Sequence, residues 1–347
     1  MTSTRRWNTT RGLRLAALGG VLLVSQAAAG QDRLGPGFPA NPAIWTDQQS
    51  AEAQAFVEAQ LRLIQDGDET SISRGKTALV DALTFRNATP QYTSQLSETI
   101  ARRLEPVLTA DRQLVRINIM IICTHLVHPS ALRPIESGLA DPNAGVRYPA
   151  VTAISNILFN GELNKQQREQ ALDKLTGLAK QELDPFVTQA LLNAIDQTQD
   201  DKLMLDVLGA RVNLLFAQPV AAFDAETRIL QAIFTRITTG SNPSIAQLRE
   251  LMKVCGRYYW LAAKKLVDGN VPPDRVPGHN MMAEVAATGL AEAFRKTPGA
   301  TGISPERPNI HIQRGNWGLV LRIALQWGEI LKAPPYNFTD ADLHVGE

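Results

Sequence analysis

The residues LRPIESGLADPNAGVRYPAVTAISNIL, at positions 132–158, decide the fold class of this 347-residue chain. Two apolar-striped segments flank an Asp141-Pro142 turn, and a Val146-Arg147 pair opens the second segment. A helical hairpin of this kind can bury its apolar face only against stacked neighbours. The stretch therefore predicts an elongated array of paired helices rather than a compact domain with a central pocket.

The pattern of this hairpin returns on both sides of it at regular offsets. Advancing 41 residues brings Val146 onto Val187, where Asp184-Pro185 supplies a capping aspartate and a proline at the first helical position. Val115-Arg116 precedes Val146-Arg147 by 31 residues and matches it residue for residue. Three units in register predict repetition of one supersecondary element.

The order of these residues resembles the HEAT repeat family over about residues 90–198. The residues that carry the resemblance are Pro134, Asp141, Pro142, Val146, Arg147 and Ala150, with Asp184, Pro185 and Val187 in the later unit. It implies an all-α fold, an alpha-alpha superhelix or HEAT/armadillo-like solenoid of antiparallel helix pairs. It also implies that Arg147 ties its repeat to a neighbour through an aspartate such as Asp141 or Asp184. Two residues depart from the family pattern. Pro149 requires that the second helix either kinks or starts nearer Tyr148, and Thr188 replaces the repeated arginine.

Helical periodicity continues outside the motif. The predicted helices cover residues 46–65, a segment ending near 85, and residues 93–108, 114–127, 203–216, 225–237, 243–269, 280–295 and 316–331. Because the helix at 114–127 has almost no polar side, it must be packed on most of its circumference. These patterns divide the chain into an extended leader (30–45), HEAT-like repeats (46–198), an irregular helical continuation or C-terminal cap (199–332) and a tail (333–347).

Residues 1–29 have the order of a secretory signal peptide. Four arginines precede an apolar run at 15–24, and the small residues Ala27 to Gly30 follow it. The run is too short for a permanent membrane span, so we expect an exported protein, periplasmic or secreted, cleaved after Ala29 or Gly30. The Arg5-Arg6 pair leaves twin-arginine export as an alternative to the general secretory route.

Net charge limits the kinds of partner that we expect, and the cysteine positions decide whether we expect a disulfide. Without residues 1–29 the chain has 31 basic and 34 acidic side chains, a net charge of −3, which disfavours nucleic acid as a partner. Cys123 and Cys255 lie several repeats apart in a stacked array, beyond the Cα separation that a disulfide tolerates. We expect two free, buried thiols.

No residues in the sequence identify a catalytic, cofactor or metal site. His125 and His128 could share a metal, but no third ligand has suitable spacing, and a histidine interacting with the carbonyl end of a helix is the simpler interpretation. The acidic runs at 66–69 and 340–342 lack the ligand spacing of a calcium loop and are expected to be solvated turns. Motifs of serine hydrolases, zinc proteases and phosphate-binding loops are absent from the sequence.

Aromatic residues concentrate in the last quarter of the chain. In the run Tyr258-Tyr259-Trp260, successive helical residues point about 100° apart, so at least one should face outward. We therefore predict Tyr258, Trp260 and Trp317 as possible contacts for a partner or ligand, with tight packing at the end of the array as the structural alternative.

The expected function is a cofactor-free, non-enzymatic scaffold that binds another protein. A carbohydrate or small-ligand module at the aromatic residues, or a cofactor-free hydrolase, are the alternatives.

Overall fold

A computed structural model of the chain describes residue 34 and residues 44–219, 222–240, 242–269, 271–300, 305–334 and 336–343. All regular elements in these ranges are helical, so the protein is all-α. In chain order the helices are α1 (Asp47–Asp66), α2 (Glu69–Leu83), α3 (Pro90–Leu108), α4 (Gln113–Cys123), a 3-10 turn (Pro129–Ala131), α5 (Leu132–Leu139), α6 (Ala144–Asn160), α7 (Lys165–Ala179), α8 (Pro185–Asp196), α9 (Asp201–Ala217), α10 (Asp224–Thr239), α11 (Ile245–Val267), α12 (Val276–Lys296), α13 (Asn309–Gln313), α14 (Trp317–Lys332) and α15 (Asp340–Leu343).

The chain forms two compact units, one up to Arg168 and one from Glu169. The division falls inside α7, thirty residues before the boundary expected after 198. The predicted stacking of the Val146 hairpin on the Val187 hairpin crosses this division and stays a prediction. The predicted signal peptide and nearly all of the predicted leader lie outside the described residues. None of the described helices combines the length and apolar character that spanning a membrane requires.

In the first unit, local sequence signals set where the helices begin. Thr46 and Gln49 form the predicted capping box at α1, and Asp68 and Thr89 cap α2 and α3. Each helix packs on its sequence neighbour and on the helix two positions along: α1 on α3, α3 on α5, α2 on α4, and α4 on α6. The odd and even helices therefore form two facing layers. Gly138 of α5 makes one close approach possible, since an added Cβ would lie 2.1 Å from the Met120 sulfur of α4.

Helix α4 is surrounded as its composition predicts, but it ends earlier than expected. It contacts α1, α2, α3, α5 and α6, and it stops at Cys123 rather than near Val127. The backbone amides of Val127 and His128 donate to the Ser97 hydroxyl of α3, at 2.9 and 3.0 Å, and the Thr124 carbonyl accepts from the Asn156 side chain at 2.9 Å. Neighbouring helices thus satisfy backbone groups that a longer α4 would have paired internally.

Pro149 lies inside helix α6 and does not shift the start of the helix. The helix begins at Ala144 with Asn143 as its cap, so the alternative start near Tyr148 is wrong. Pro149 is itself buried, and burial of the ring and its neighbours offsets the one helical hydrogen bond that proline cannot donate.

The second unit also packs helices at alternate positions. One series is α8, α10 and α12, and the other is α9, α11 and α14, with α11 and α12 in extensive contact. Helix α11 touches α9, α10, α12, α14 and α15. The segment expected to be a tail includes α15, which packs on α11, so residues 336–343 belong to this unit.

Candidate functional site

Two arginines in the first unit make the same contacts in successive hairpins. Arg116 is the fourth residue of α4, and its Nη1 donates to the carbonyls of Ala110 (2.7 Å) and Asp111 (3.1 Å). Arg147 is the fourth residue of α6, and its Nη1 donates to the carbonyls six and five residues before it, both at 3.0 Å. The 31-residue offset read from the sequence therefore corresponds to a repeated local geometry.

Asp141 connects the two hairpins. Its Oδ2 pairs with Arg116 Nε at 2.7 Å, and its Oδ1 accepts the Asn143 amide at 2.8 Å. Both charged side chains are largely buried, at 17% and 8% exposure. Arg147 donates to the backbone carbonyl of Asp141, whereas the Asp141 carboxylate pairs with Arg116, in the preceding hairpin. A contact of Arg147 with Asp184 would cross the division between the two compact units and stays a prediction.

In the second unit the missing arginine at Thr188 is replaced by one from another helix. The Thr188 hydroxyl donates to the Glu182 carbonyl, again six residues back, at 3.3 Å. Arg211 of α9 supplies the guanidinium: its Nη1 donates to the carbonyls of Ala179 and Glu182, and its Nη2 to the Thr188 hydroxyl at 3.4 Å. The loop carbonyls are therefore satisfied as in the first unit, by a side chain 23 residues away in sequence from Thr188.

The Arg211 guanidinium also forms the most buried ion pair among the described residues. It lies 2.7 Å from Glu226 Oε1 of α10, and the two side chains are 2% and 1% exposed. Because Arg211 holds carbonyls of the α7–α8 loop and a carboxylate of α10, it joins three parts of the unit. Arg211 continues the helical spacing of Met204, Leu208 and Leu215, and this position on an apolar face is the sequence signal that could have identified it as buried.

The other motif residues are structural. Pro134, Val146, Ala150 and Val187 are buried. Asp184 caps α8 by accepting the amides of Phe186 and Val187 at 3.0 Å, with Pro185 in the first turn as predicted.

An apolar surface lies where α4 and α6 run side by side. We define the α4/α6 strip as Leu114, Ile117 and Ile121 of α4 and Tyr148 of α6. Leu114 and Tyr148 are 38% and 49% exposed, and both isoleucines are partly exposed. A Cβ added at Gly145 would lie 3.6 Å from Ile117 Cδ1, which places the start of α6 against this face of α4. The spacing of Leu114, Ile117 and Ile121 indicates one helix face, but the strip was not predicted, because α4 was expected to be packed on most of its circumference.

The aromatic run does not have the exposed member that was predicted. Tyr258 and Tyr259 are 0% exposed and Trp260 is 6% exposed. The hydroxyls of Tyr258 and Tyr259 donate to the carbonyls of Leu208 and Val320, both at 3.1 Å. The prediction is wrong because α9 and α14 together cover all three aromatic side chains of α11. Trp317, at the start of α14, is only partly buried.

His125 directly follows the C-cap of α4, so its interaction with the carbonyl end of the helix stays a prediction, whereas His128 lies beyond the helix and makes a different contact. His128 Nδ1 is 2.9 Å from the Ser130 hydroxyl and caps the 3-10 turn. Burial lowers the pKa of His125. Within the described ranges, no group of three or more His, Cys, Asp or Glu side chains could hold a metal ion.

The acidic run at 66–69 is an exposed turn between α1 and α2, as predicted, whereas the run at 340–342 is helical and the prediction of a turn there is wrong. Asp68 caps α2, and Asp340 and Asp342 lie in α15, where they pair with Lys332 and Lys253. The prediction of two free, buried thiols at Cys123 and Cys255 is confirmed.

Two small cavities lie among the helices of the second unit. The larger, lined by Ala287, Glu292, Arg307 and Trp327 among others, has a volume of about 20 Å³, room for about one water molecule. The other is about 10 Å³, beside Trp260 and Leu343. In the first unit, Ile44 and Phe85 are also exposed, and the α4/α6 strip is the place where partly exposed apolar side chains lie on two packed helices.

No protein-family model matches this chain, and no curated protein compared with it is significantly similar.

Proposed function

We propose that this protein is an exported, non-enzymatic helical-repeat scaffold that binds another protein along the α4/α6 strip. The observation that carries the proposal is the strip itself: partly exposed apolar side chains on α4 and α6, two helices that pack side by side in successive hairpins. Exposed apolar side chains grouped in this way are typical of protein-binding surfaces. The architecture in this proposal is an alpha-alpha superhelix of the HEAT type, supported by the alternate-helix packing within each unit and by the repeated contacts of Arg116 and Arg147.

The arginine contacts support a preformed binding surface. Arg116 and Arg147 hold the loops that precede α4 and α6, so the starts of both helices are fixed before a partner arrives. A surface that needs little ordering on binding loses less conformational entropy. Tyr148 provides a large, half-exposed aromatic group of the kind that contributes most to interface energy.

Affinity capture with matched variants tests the partner proposal. Wild-type protein, Leu114→Lys/Tyr148→Lys and the control Met281→Lys are immobilised, and proteins from the exported fraction are quantified by mass spectrometry. Met281 of α12 is exposed but lies outside the strip, and substitutions at such surface positions change stability by about 0.5 kcal/mol or less. We expect a protein that wild type and Met281→Lys retain equally and that the double variant loses by about tenfold or more. Equal recovery on all three baits would refute the strip as the binding surface.

Export is proposed from the first thirty residues and is tested separately. Amino-terminal sequencing of the protein from the exported fraction should begin at Gly30 or Gln31. Recovery of exported protein that still begins at Met1 would contradict cleavage there.

A sugar-binding function now depends on Trp317 alone among the predicted aromatic contacts, since Tyr258 and Trp260 are buried. It stays a prediction. A glycan that changes the tryptophan fluorescence of wild type but not of Trp317→Phe would favour it over the scaffold.

A further inference from the structure

The C-terminal strap, which we define as residues 336–343, packs against α11. Three of its side chains, Tyr336, Phe338 and Leu343, are buried although the segment is close to the end of the chain. Asp342 Oδ2 accepts from the amide and hydroxyl of Thr339, at 3.0 and 2.8 Å, which begins the short helix α15. The strap is thus a small ordered element laid on a preexisting helix.

One face of α11 contacts the strap through side chains at helical spacing. Arg249 donates to the Tyr336 carbonyl, and its guanidinium lies 4.8 Å from the centre of the Phe338 ring. Lys253, one turn later, pairs with Asp342 at 2.7 Å. The contacts therefore select for an aromatic ring followed four residues later by a carboxylate.

The next turn of α11 and the facing side of α14 complete a groove for the end of the strap. Gly256, Ala324 and Gly328 leave space beside larger apolar side chains, and Leu343 enters that space. A Cβ added at Gly256 would lie 3.5 Å from Leu343 Cδ2. A cavity of about 10 Å³ remains beside Leu343, so its side chain does not fill the groove completely.

Charge complementarity extends to the outer side of the strap. Lys332, at the end of α14, pairs with Asp340 at 2.6 Å, with the two side chains 31% and 60% exposed. Together with Arg249 and Lys253, it places three cations around a segment that carries two carboxylates. These ion pairs are partly open to solvent and each contributes modestly, so the strap is held by several weak contacts.

We propose that the α11/α14 groove is a peptide-binding site that the strap occupies in cis, and that its external ligand is an acidic segment of a partner protein. That segment carries an aromatic residue, a carboxylate four residues later and an aliphatic residue next to it, matching Phe338, Asp342 and Leu343. This site is separate from the α4/α6 strip and does not depend on it. The strap acts as a tethered competitor, and the measured affinity for an external peptide is reduced by the fraction of molecules in which the groove is open.

The test uses full-length protein and a fluorescein-labelled peptide with the sequence of residues 336–347, YNFTDADLHVGE. Fluorescence anisotropy compares wild type with Asp340→Asn/Asp342→Asn, in which the strap has lost both carboxylates. Loss of each exposed ion pair should increase the open fraction, so we expect peptide binding to become about fivefold tighter or more. Adding Lys253→Gln to that variant should reverse the gain, because the peptide then loses its own partner on α11.

Two controls keep the test specific. Lys264→Gln removes a lysine of the same helix that pairs with Asp268 rather than with the strap, and it should leave peptide binding unchanged. A peptide with asparagine in place of both aspartates should bind more weakly than the parent peptide. Should the double variant melt early in circular dichroism, Asp340→Asn alone replaces it, since that side chain is the more exposed of the two.

The proposal is overturned if the strap variants bind the peptide no more tightly than wild type, or if Lys253→Gln has no effect. It is also overturned if the strap variants form a dimer by sedimentation that the peptide does not dissociate, because the groove would then hold the strap of a second copy.

Discussion

Replacing Arg211 by methionine tests whether the stability of the second unit depends on this arginine of α9, which takes the place of the arginine missing at Thr188. The guanidinium donates to Glu226 and to the carbonyls of Ala179 and Glu182, and neither charged side chain of the pair is more than 2% exposed. Arg211→Met leaves the Glu226 carboxylate buried without its partner and also leaves the loop carbonyls without this donor. Removing one member of a buried, hydrogen-bonded pair costs about 3–5 kcal/mol, and we expect a loss of that size in the free energy of unfolding.

A double-mutant cycle separates this cost from the interaction free energy between Arg211 and Glu226. Glu226→Leu should also destabilise by about 3–5 kcal/mol, because a buried guanidinium then lacks its carboxylate. Arg211→Met/Glu226→Leu removes both charges, and its loss should be well below the sum of the two single losses, with a coupling of about 2 kcal/mol or more. Urea unfolding followed by circular dichroism and tryptophan fluorescence measures each free energy.

The exposed pair between Lys180 and Asp206 of α9 is the matched control. Its atoms are also 2.7 Å apart, but the side chains are 35% and 64% exposed. Lys180→Met should cost less than about 1 kcal/mol. The reasoning is refuted if Arg211→Met costs no more than this control, or if the single losses in the Arg211 cycle simply add.

Three further predictions follow from other contacts. Asp141→Ala, which leaves the largely buried Arg116 without its carboxylate, should lower the free energy of unfolding in urea by about 1–3 kcal/mol; a change below 0.5 kcal/mol would show that this contact does not couple the hairpins. His279 is 1% exposed and its Nδ1 lies 2.9 Å from a backbone carbonyl; burial lowers its pKa from 6.5. The unfolded chain then binds more protons, so stability should be full above pH 6.5 and fall as the pH drops through 6.5 toward the lower folded pKa, with a shallower fall in His279→Gln. Burial also raises the pKa of the Cys123 and Cys255 thiols, so a thiol reagent should find two thiols in unfolded, unreduced protein and react with neither quickly in the native state; detecting only one or none after unfolding would contradict free thiols.

Most of the helices could be predicted because their signals are local, although α7 (Lys165–Ala179) was not among the predicted helices. The Thr46–Gln49 capping box, the Asp184-Pro185 start of α8 and the spacing of apolar residues act within a few residues of where they occur. The end of α4 could not be placed in this way. It depends on the Ser97 hydroxyl of α3, which pairs with two amides that follow Cys123.

The candidate sites were harder to predict because exposure depends on neighbouring helices. Helical geometry shows that Tyr258, Tyr259 and Trp260 point in different directions, but it could not show that α9 and α14 cover all three side chains. Residues 333–347 were predicted to be a tail. The pairing of Asp342 with Lys253 could not be predicted, because the two residues are far apart in sequence.

The sequence by itself determined that the chain is helical, where most helices begin, and the 31-residue offset at which Arg116 and Arg147 repeat a contact with their preceding loops. Backbone capping, proline geometry and apolar periodicity suffice for this because they act between residues close in sequence. Tertiary structure alone decided that Arg211 replaces the arginine missing at Thr188, and that the aromatic run of α11 is buried. A buried guanidinium or ring is stabilised by whichever helices surround it, and their identity is fixed only when the helices pack.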